Sequence, residues 1–417
     1  MRRRSLAAGV VVLFLVAAGV TAGVVTSLST SSPRAASRGA GSHALFATLD
    51  ALSCPSTGHC TAVGHALTVD TDAATGDPDG DGQATRTLVE ILDGGTWRQM
   101  ASPDEGSGGD ALTGVSCPTA DTCVAVGTYR AAPFGEAASS APPVAPLIEA
   151  LTAGRWAVVP GPPAPPGSSL AAVSCPSPTS CTAVGSSTKG SQAANPDESP
   201  VVEVLDGTTW SSAPVTQPPG TSTELKAVSC PAVSSCVAVG DVAPASDPTA
   251  TRPLVEQLVG GAWMATSPTP AAIAGTLDDV TCSAPGRCVA VGNAVTGPSS
   301  GSALVVSLDA TGWHVDATAL EQSGDISLAA VGCSPDGSCV VAGISLSSAL
   351  RVLARVDSGG WHPLSGYDQN ETIQALVCPP ASTCTVVGRS YVNGYGNTTT
   401  LVGSIVGDRL SVRNAPA

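Results

Sequence analysis

The sequence predicts an all-β chain: a closed ring of seven four-stranded antiparallel sheets, preceded by one N-terminal hydrophobic helix. Three observations carry this. A unit best seen in Ala172-Val173-Ser174-Cys175-Pro176-Ser177-Pro178-Thr179-Ser180-Cys181-Thr182-Ala183-Val184-Gly185 recurs seven times, its two cysteines always six positions apart. A large apolar residue follows the third apolar run of every copy at a fixed distance. Elsewhere, Val/Leu/Ala runs of four to six residues are bounded by Gly, Pro, Ser and Asp, the pattern of short strands. Outside the N-terminus no segment holds a helical period over three turns.

The cysteine pairs are Cys54 with Cys60, Cys117 with Cys123, Cys175 with Cys181, Cys230 with Cys236, Cys282 with Cys288, Cys333 with Cys339 and Cys378 with Cys384, which uses all fourteen cysteines. The third copy gives the strands in order. Leu170 to Cys175 forms the first and Cys181 to Gly185 the second; Val201-Val202-Glu203-Val204-Leu205 forms the third. The tight turn Asp206-Gly207-Thr208-Thr209 then leads to Trp210 on the fourth. The five-residue step from the end of strand three recurs as Leu92 to Trp97, Leu151 to Trp156, Leu205 to Trp210, Leu258 to Trp263, Leu308 to Trp313 and Val356 to Trp361. In the last copy Ile405 steps to Leu410. A bulky residue at one equivalent position per copy is expected to fill each junction between neighbouring sheets. Four strands repeated seven times, with copies 45 to 63 residues apart, match the blades of a β-propeller. Closure into a ring also removes the exposed edges that a linear array would leave.

The turns Asp93-Gly94-Gly95-Thr96-Trp97, Asp206-Gly207-Thr208-Thr209-Trp210 and Asp357-Ser358-Gly359-Gly360-Trp361 resemble the Asp-box (BNR-type) hairpins of sialidase-like propellers, with Thr152 and Val259 replacing the aspartate in two copies. The Ser-Cys-Pro…Cys-x-Ala-Val-Gly repeat resembles the cysteine-paired repeats of exported bacterial propeller proteins, over residues 43–417. The Asp-box resemblance implies an orientation. The turns between strands three and four share a face with the cysteine hairpins. The loops after strands two and four crowd the opposite face, where a ligand would bind. The loops after strand two differ most in length, long from His65 to Thr87 and almost absent between Ile344 and Ala349.

Composition narrows the partners. The chain has 417 residues, a net charge of -15, and only two lysines, Lys189 and Lys226, so it lacks the basic surface that nucleic acid requires. Met1-Arg2-Arg3-Arg4 followed by an apolar run from Leu6 to Val25 marks the chain for export. Residues 1–25 are therefore a signal or anchor, 26–42 a flexible stalk and 43–417 the propeller. A run of about 20 residues can cross a bilayer, which favours a single-pass anchor with the propeller outside. Val20-Thr21-Ala22 offers a cleavage site, and the body would then be secreted. Either compartment is oxidising, so each cysteine is expected to pair with its neighbour six residues away. Zinc is the competing use, but each copy supplies two cysteine ligands and the five histidines (His43, His59, His65, His314, His362) are scattered.

Three constellations could carry chemistry. Asp77-Pro78-Asp79-Gly80-Asp81-Gly82, with Asp70 and Asp72 upstream, alternates carboxylates before a glycine, the pattern by which oxygens converge on calcium. Thr85 and Leu88 stand where later ligands belong, and an Asp/Gly-rich solvated loop is the alternative. Glu90, Glu149, Glu203 and Glu256 hold the same place on strand three in four successive copies, either as a carboxylate ring in the central funnel or as strand residues tied to local donors. Arg130 with Tyr129, and Arg389 with Tyr391, follow strand two and could reach the loop face. Gly297-Pro298-Ser299-Ser300-Gly301 has the spacing of a nucleophile elbow but lacks its strand-to-helix context. The expectation is a monomeric, non-enzymatic binding or scaffold module for a cell-envelope glycan or protein. A sialidase-like glycoside hydrolase is the alternative, and it would bring Arg, Tyr and two carboxylates together in the funnel.

Overall fold

The computed structural model describes residues 44–414, apart from 70–82, 107–108, 132–143, 190–196, 267, 270–272, 298–299, 317–324, 358–359, 380–382 and 393–396. Within them the chain builds seven blades in order, over 44–100, 110–158, 168–212, 221–266, 274–315, 326–363 and 371–414. Every blade is a four-stranded antiparallel meander of contiguous sequence. The first strand of each blade packs beside the first strand of the next, and that of blade seven returns to blade one. The ring is therefore closed with seven blades, as the repeat implies. The N-terminal helix, the anchor and the stalk lie outside the described residues. Among the described residues no helix is long and apolar enough to cross a membrane.

The second strand shows why the runs read as unbroken apolar sequence rather than alternation. It lies inside the blade and is buried on both faces. In Cys60-Thr61-Ala62-Val63-Gly64, Ala62 packs toward blade seven and Val63 toward blade two. Among the described residues there are seven such interblade cores, and each receives one tryptophan, or Leu410 in the last, from the later blade of the pair. The junction-filling role expected of this position is thus found, although Trp97, Trp313 and Trp361 are only half-buried.

The cysteines pair as expected, across the hairpin of strands one and two. Disulfides join Cys54 to Cys60, Cys117 to Cys123, Cys175 to Cys181, Cys230 to Cys236, Cys282 to Cys288, Cys333 to Cys339 and Cys378 to Cys384, at Cα separations of 4.0–4.1 Å. The second cysteine of each pair opens strand two and is buried. Cys60, Cys123, Cys181, Cys236, Cys288, Cys339 and Cys384 each enter an interblade core, one per junction. These second sulfurs are therefore packing atoms as well as crosslinks. The disulfides are part of the frame rather than of any site.

The turns between strands three and four are two-residue connections. Gly94 and Gly95 both take positive φ (57° and 83°), the type I′ geometry that suits twisted hairpins.

The serine before the first cysteine has a specific use. The Ser53 hydroxyl accepts from the Cys117 N–H of the next blade (2.9 Å), Ser116 from Cys175 (2.9 Å), Ser174 from Cys230 (2.9 Å) and Ser229 from Cys282 (3.0 Å). At the next junction Asp279 takes over, accepting from Val331 N–H at 2.8 Å. The signature thus encodes a stitch from blade to blade.

Among the described residues no strand is exchanged between blades seven and one; beside their shared apolar core, one parallel bridge joins Phe46 of blade one to Thr398 of blade seven. The Thr398 hydroxyl accepts from Ala47 N–H (3.2 Å) and donates to the Ala47 carbonyl (2.9 Å).

Candidate functional site: the channel and its loop-side rim

Each first strand carries a β-bulge at the same place, four residues before its first cysteine. The residues skipped by the pairing are Asp50, Thr113, Ala171, Lys226, Asp278, Ala329 and Gln374. A bulge leaves its residue outside the ladder and bends the strand. Here it brings all seven to a central cavity of about 260 Å³, lined by the first strands of every blade. The glycine ending Cys-x-Ala-Val-Gly makes the bend possible. A Cβ on Gly64, Gly127, Gly185, Gly240, Gly292, Gly343 or Gly388 would collide with a carbonyl oxygen of strand one, two residues before the bulge. The leucine or isoleucine preceding each bulge points the other way, into an interblade core.

The frame is uniform but the side chains at two of its positions are not. The bulge position reads Asp, Thr, Ala, Lys, Asp, Ala, Gln around the ring, and the position after the glycine reads His65, Thr128, Ser186, Asp241, Asn293, Ile344, Arg389. Sequence reasoning singled out Arg389 but passed over the two positions as a set. Their signal was variability inside an otherwise repeated string, and only the bulge shows that one of the two positions, its own, faces the channel.

Two clusters occupy the loop-side rim. Across blades four and five, the Lys226 ammonium lies 2.8 Å from Asp241, 3.0 Å from Asp278 and 3.8 Å from Glu224. Burial acts to lower its pKa, but the charges of Asp278, Asp241 and Glu224 outweigh this and hold it above the ordinary lysine range. Burial, reinforced by neighbouring carboxylates, raises the pKa of Glu224 and Glu198 despite Lys226. This side of the rim is acidic, and the Lys226 ammonium is saturated by carboxylates.

The other cluster spans the seam between blades seven and one. The Arg389 guanidinium carbon sits 5.5 Å from the Tyr391 ring centroid and 5.6 Å from that of Phe46. Phe46 stacks on His65 (5.9 Å, 29° between planes), and His65 Nδ1 meets Asp50 Oδ2 at 2.9 Å. The row Tyr391–Arg389–Phe46–His65–Asp50 thus runs from blade seven into the channel. Arg130 and Tyr129 belong to blade two, where Arg130 N–H binds the Gly109 carbonyl and Tyr129 packs in the core between blades one and two.

The four glutamates lie between blades rather than in the funnel. All are buried (0–2% exposed), at the place that Val306 and Ala354 fill in blades five and six. Glu90 accepts from Thr400 of blade seven (2.9 Å) and Glu149 from Ser102 (2.5 Å), while one oxygen of each of the four has no partner. Burial pushes each carboxyl up to about 7. They are packing positions occupied by acids; the alternative of a nearby loop donor holds for Glu149, while the donor to Glu90 is a strand side chain of blade seven. Asp77, Asp79 and Asp81 of the calcium loop, with Asp70 and Asp72, lie outside the described residues, as does Ser299. Among the described residues no group of three His, Cys, Asp or Glu side chains could hold a metal ion.

No family model matches the chain, and no curated protein is similar to it in sequence. Solved structures do resemble it. Puromycin hydrolase aligns at TM-score 0.52 and 11% identity over 90% of this chain and 54% of its own. The β-propeller domain of the Trilobed protease from Pyrococcus furiosus, described as having an open velcro topology, aligns at 0.50 and 8% over 88% of this chain and 97% of its own. YCF48 bound to a D1 peptide aligns at 0.49 and 15% over 88% and 93%. At such identities the likeness is one of fold, and the fold is a β-propeller.

Proposed function

We propose that this protein is an exported, non-catalytic propeller module that binds a protein partner with the rim made by the loops after strands two and four. One observation carries the reading. Two adjacent ring positions, the bulge and the residue after the glycine, vary from blade to blade while everything that holds them is repeated. A scaffold that keeps seven places and changes their side chains suits recognition. Export is supported by the seven disulfides, which persist in oxidising compartments, and by the Arg-led apolar N-terminal run. A protein suits the rim better than a neutral glycan because the rim is charged and divided, acidic around Lys226 and cationic-aromatic around Arg389. Calcium at Asp77, Asp79 and Asp81 would order the loop after strand two of blade one.

The test presents the full-length chain to a synthetic peptide library, a glycan array and generic glycoside substrates. Peptide binding that Asp241→Asn or Lys226→Met weakens supports the reading. Binding confined to glycans, or turnover of a glycoside, overturns it, the latter in favour of the hydrolase.

A further inference from the structure

Blade four has an outer corner without charge. Its cysteine hairpin, residues 227–240, and the stretch 257–277 hold no Asp, Glu, Lys, Arg or His, whereas every other blade carries an acid in the matching places, Asp93, Asp121, Asp206, Asp309, Asp357 or Asp408. In blades five and six the last residue of strand three meets the residue after the tryptophan, Asp309 with His314 at 3.1 Å and Asp357 with His362 at 3.2 Å. Blade four has Val259 and Met264 at these two places, 56% and 54% exposed, and Val233 at its cysteine hairpin is 60% exposed. Leu258 and Trp263 enter the core between blades three and four, so Val259 and Met264, each one step along, share the opposite face of the blade. The fourth strand here, Ala262–Thr266, is the outer edge of its sheet. Five other fourth strands carry Arg98, Arg155, His314, His362 or Arg409, polar edges of the kind that block pairing with a further strand, and that of blade three is four residues with two serines. Ala262–Thr266 has no such guard. Its two-residue turn at Gly260 and Gly261 makes Val259 and Ala262 a hydrogen-bonded pair, so Met264 and Thr266 also bond inward while Trp263 and Ala265 direct their N–H and C=O groups outward.

We infer that two copies of this chain associate edge to edge through the fourth strand of blade four, as a two-fold dimer; this departs from the monomer expected of the sequence. The strand is self-complementary. Paired antiparallel with its own copy, Trp263 of each exchanges backbone hydrogen bonds with Ala265 of the other, and Met264 falls on the axis opposite Met264, a non-hydrogen-bonded pair whose side chains lie close together. The same arrangement would set Arg98 against Arg98 in blade one, a like-charge pair that opposes pairing. Charge selects the occupant as well. A copy carrying -15 is repelled by the acidic sectors of the ring and least by this one, whereas a basic partner would be drawn to those sectors instead. Five residues a side make a small contact, so the dimer dissociates readily, with a Kd on the order of 100 μM.

Sedimentation velocity of the full-length chain at rising concentration, in low and high salt, tests this. A dimer should form and should strengthen with salt, which screens the repulsion between two acidic copies; a contact held by ion pairs would weaken. Met264→Arg places at this edge the residue that blade one already carries, and should weaken association about tenfold or more. Val259→Asp, which restores the acid of blades one, three, five and six, should act in the same direction and serves if Met264→Arg fails to fold. Met264→Cys should form a disulfide-linked dimer under mild oxidation, and Ser211→Cys, at the equivalent exposed place of blade three, should not. A chain that stays monomeric up to about 1 mM, tenfold above the expected Kd, overturns the inference. So does association left unchanged by both variants, which belongs to another surface, the apolar N-terminal run included. Crosslinking of Met264→Cys no better than that of Ser211→Cys also overturns it.

Discussion

Gly127 and Thr113 illustrate how much one residue decides. Thr113 leaves the ladder, and the strand bends so far that its backbone occupies the volume a side chain on Gly127 would need. Gly127→Ala should therefore destabilise the protein by about 2 kcal/mol or more, since the obstacle is backbone and cannot rotate away. Chemical denaturation measures this, and a loss below about 0.5 kcal/mol would show that the bulge can relax. The buried glutamates act through protonation. Glu90, Glu149, Glu203 and Glu256 keep their protons to about pH 7 when folded, against an ordinary value of 4.5. Between these values the folded state binds more protons at these groups than the unfolded one, so their contribution to stability falls as pH rises from about 4.5 to 7 and is constant on either side. Glu149→Gln keeps the acceptor for Ser102 and removes the ionisation. It should match the wild type near pH 4 and exceed it near pH 8 by on the order of 2 kcal/mol. Parallel pH profiles for the two proteins would refute the assignment.

Elements in this protein are held twice, within the blade by sulfur and between blades by serine. Closing a hairpin loop of this length contributes about 2.4 kcal/mol by chain entropy, less where the reduced hairpin stays ordered. Replacing both Cys282 and Cys288 by alanine should cost roughly that amount in a melting or denaturant experiment, without changing the blade count. The serine stitch is separable. Ser174→Ala leaves the Cys230 N–H without its acceptor and should cost about 1–3 kcal/mol, whereas the same change at an exposed serine such as Ser211 should cost almost nothing. Equal effects at the two sites would deny the stitch its role.

Over the whole molecule, the distinctive point is closure. Most junctions combine an apolar core with a regular stitch, but between blades seven and one the described residues share no strand, only the bridge of Phe46 with Thr398. Thr398, which both gives and receives a hydrogen bond at Ala47, is the substitute. Thr398→Val should cost about 1–3 kcal/mol and speed amide exchange at residues 46–48 and 397–399 ahead of the middle blades. Exchange that rises evenly round the ring would show that closure is not the weak point.

Much of this was legible in advance, for a physical reason. Strand period, turn chemistry, cysteine spacing and the tryptophan step are local, so the string alone determined the blade, its sevenfold repetition and its disulfides. Even the glycine of Cys-x-Ala-Val-Gly and the serine of Ser-Cys-Pro stood in plain view, though not their reasons. Those reasons depend on groups far apart in sequence: a carbonyl on the neighbouring strand, an N–H on the next blade. For the same cause, only the tertiary structure decided that Cys123 and Glu203 face a neighbouring blade while Lys226 faces the channel. It alone brought Arg389 between Phe46 and Tyr391, residues more than 340 positions apart in the case of Phe46, because ring closure joins the two ends of the repeat and no local pattern records that meeting.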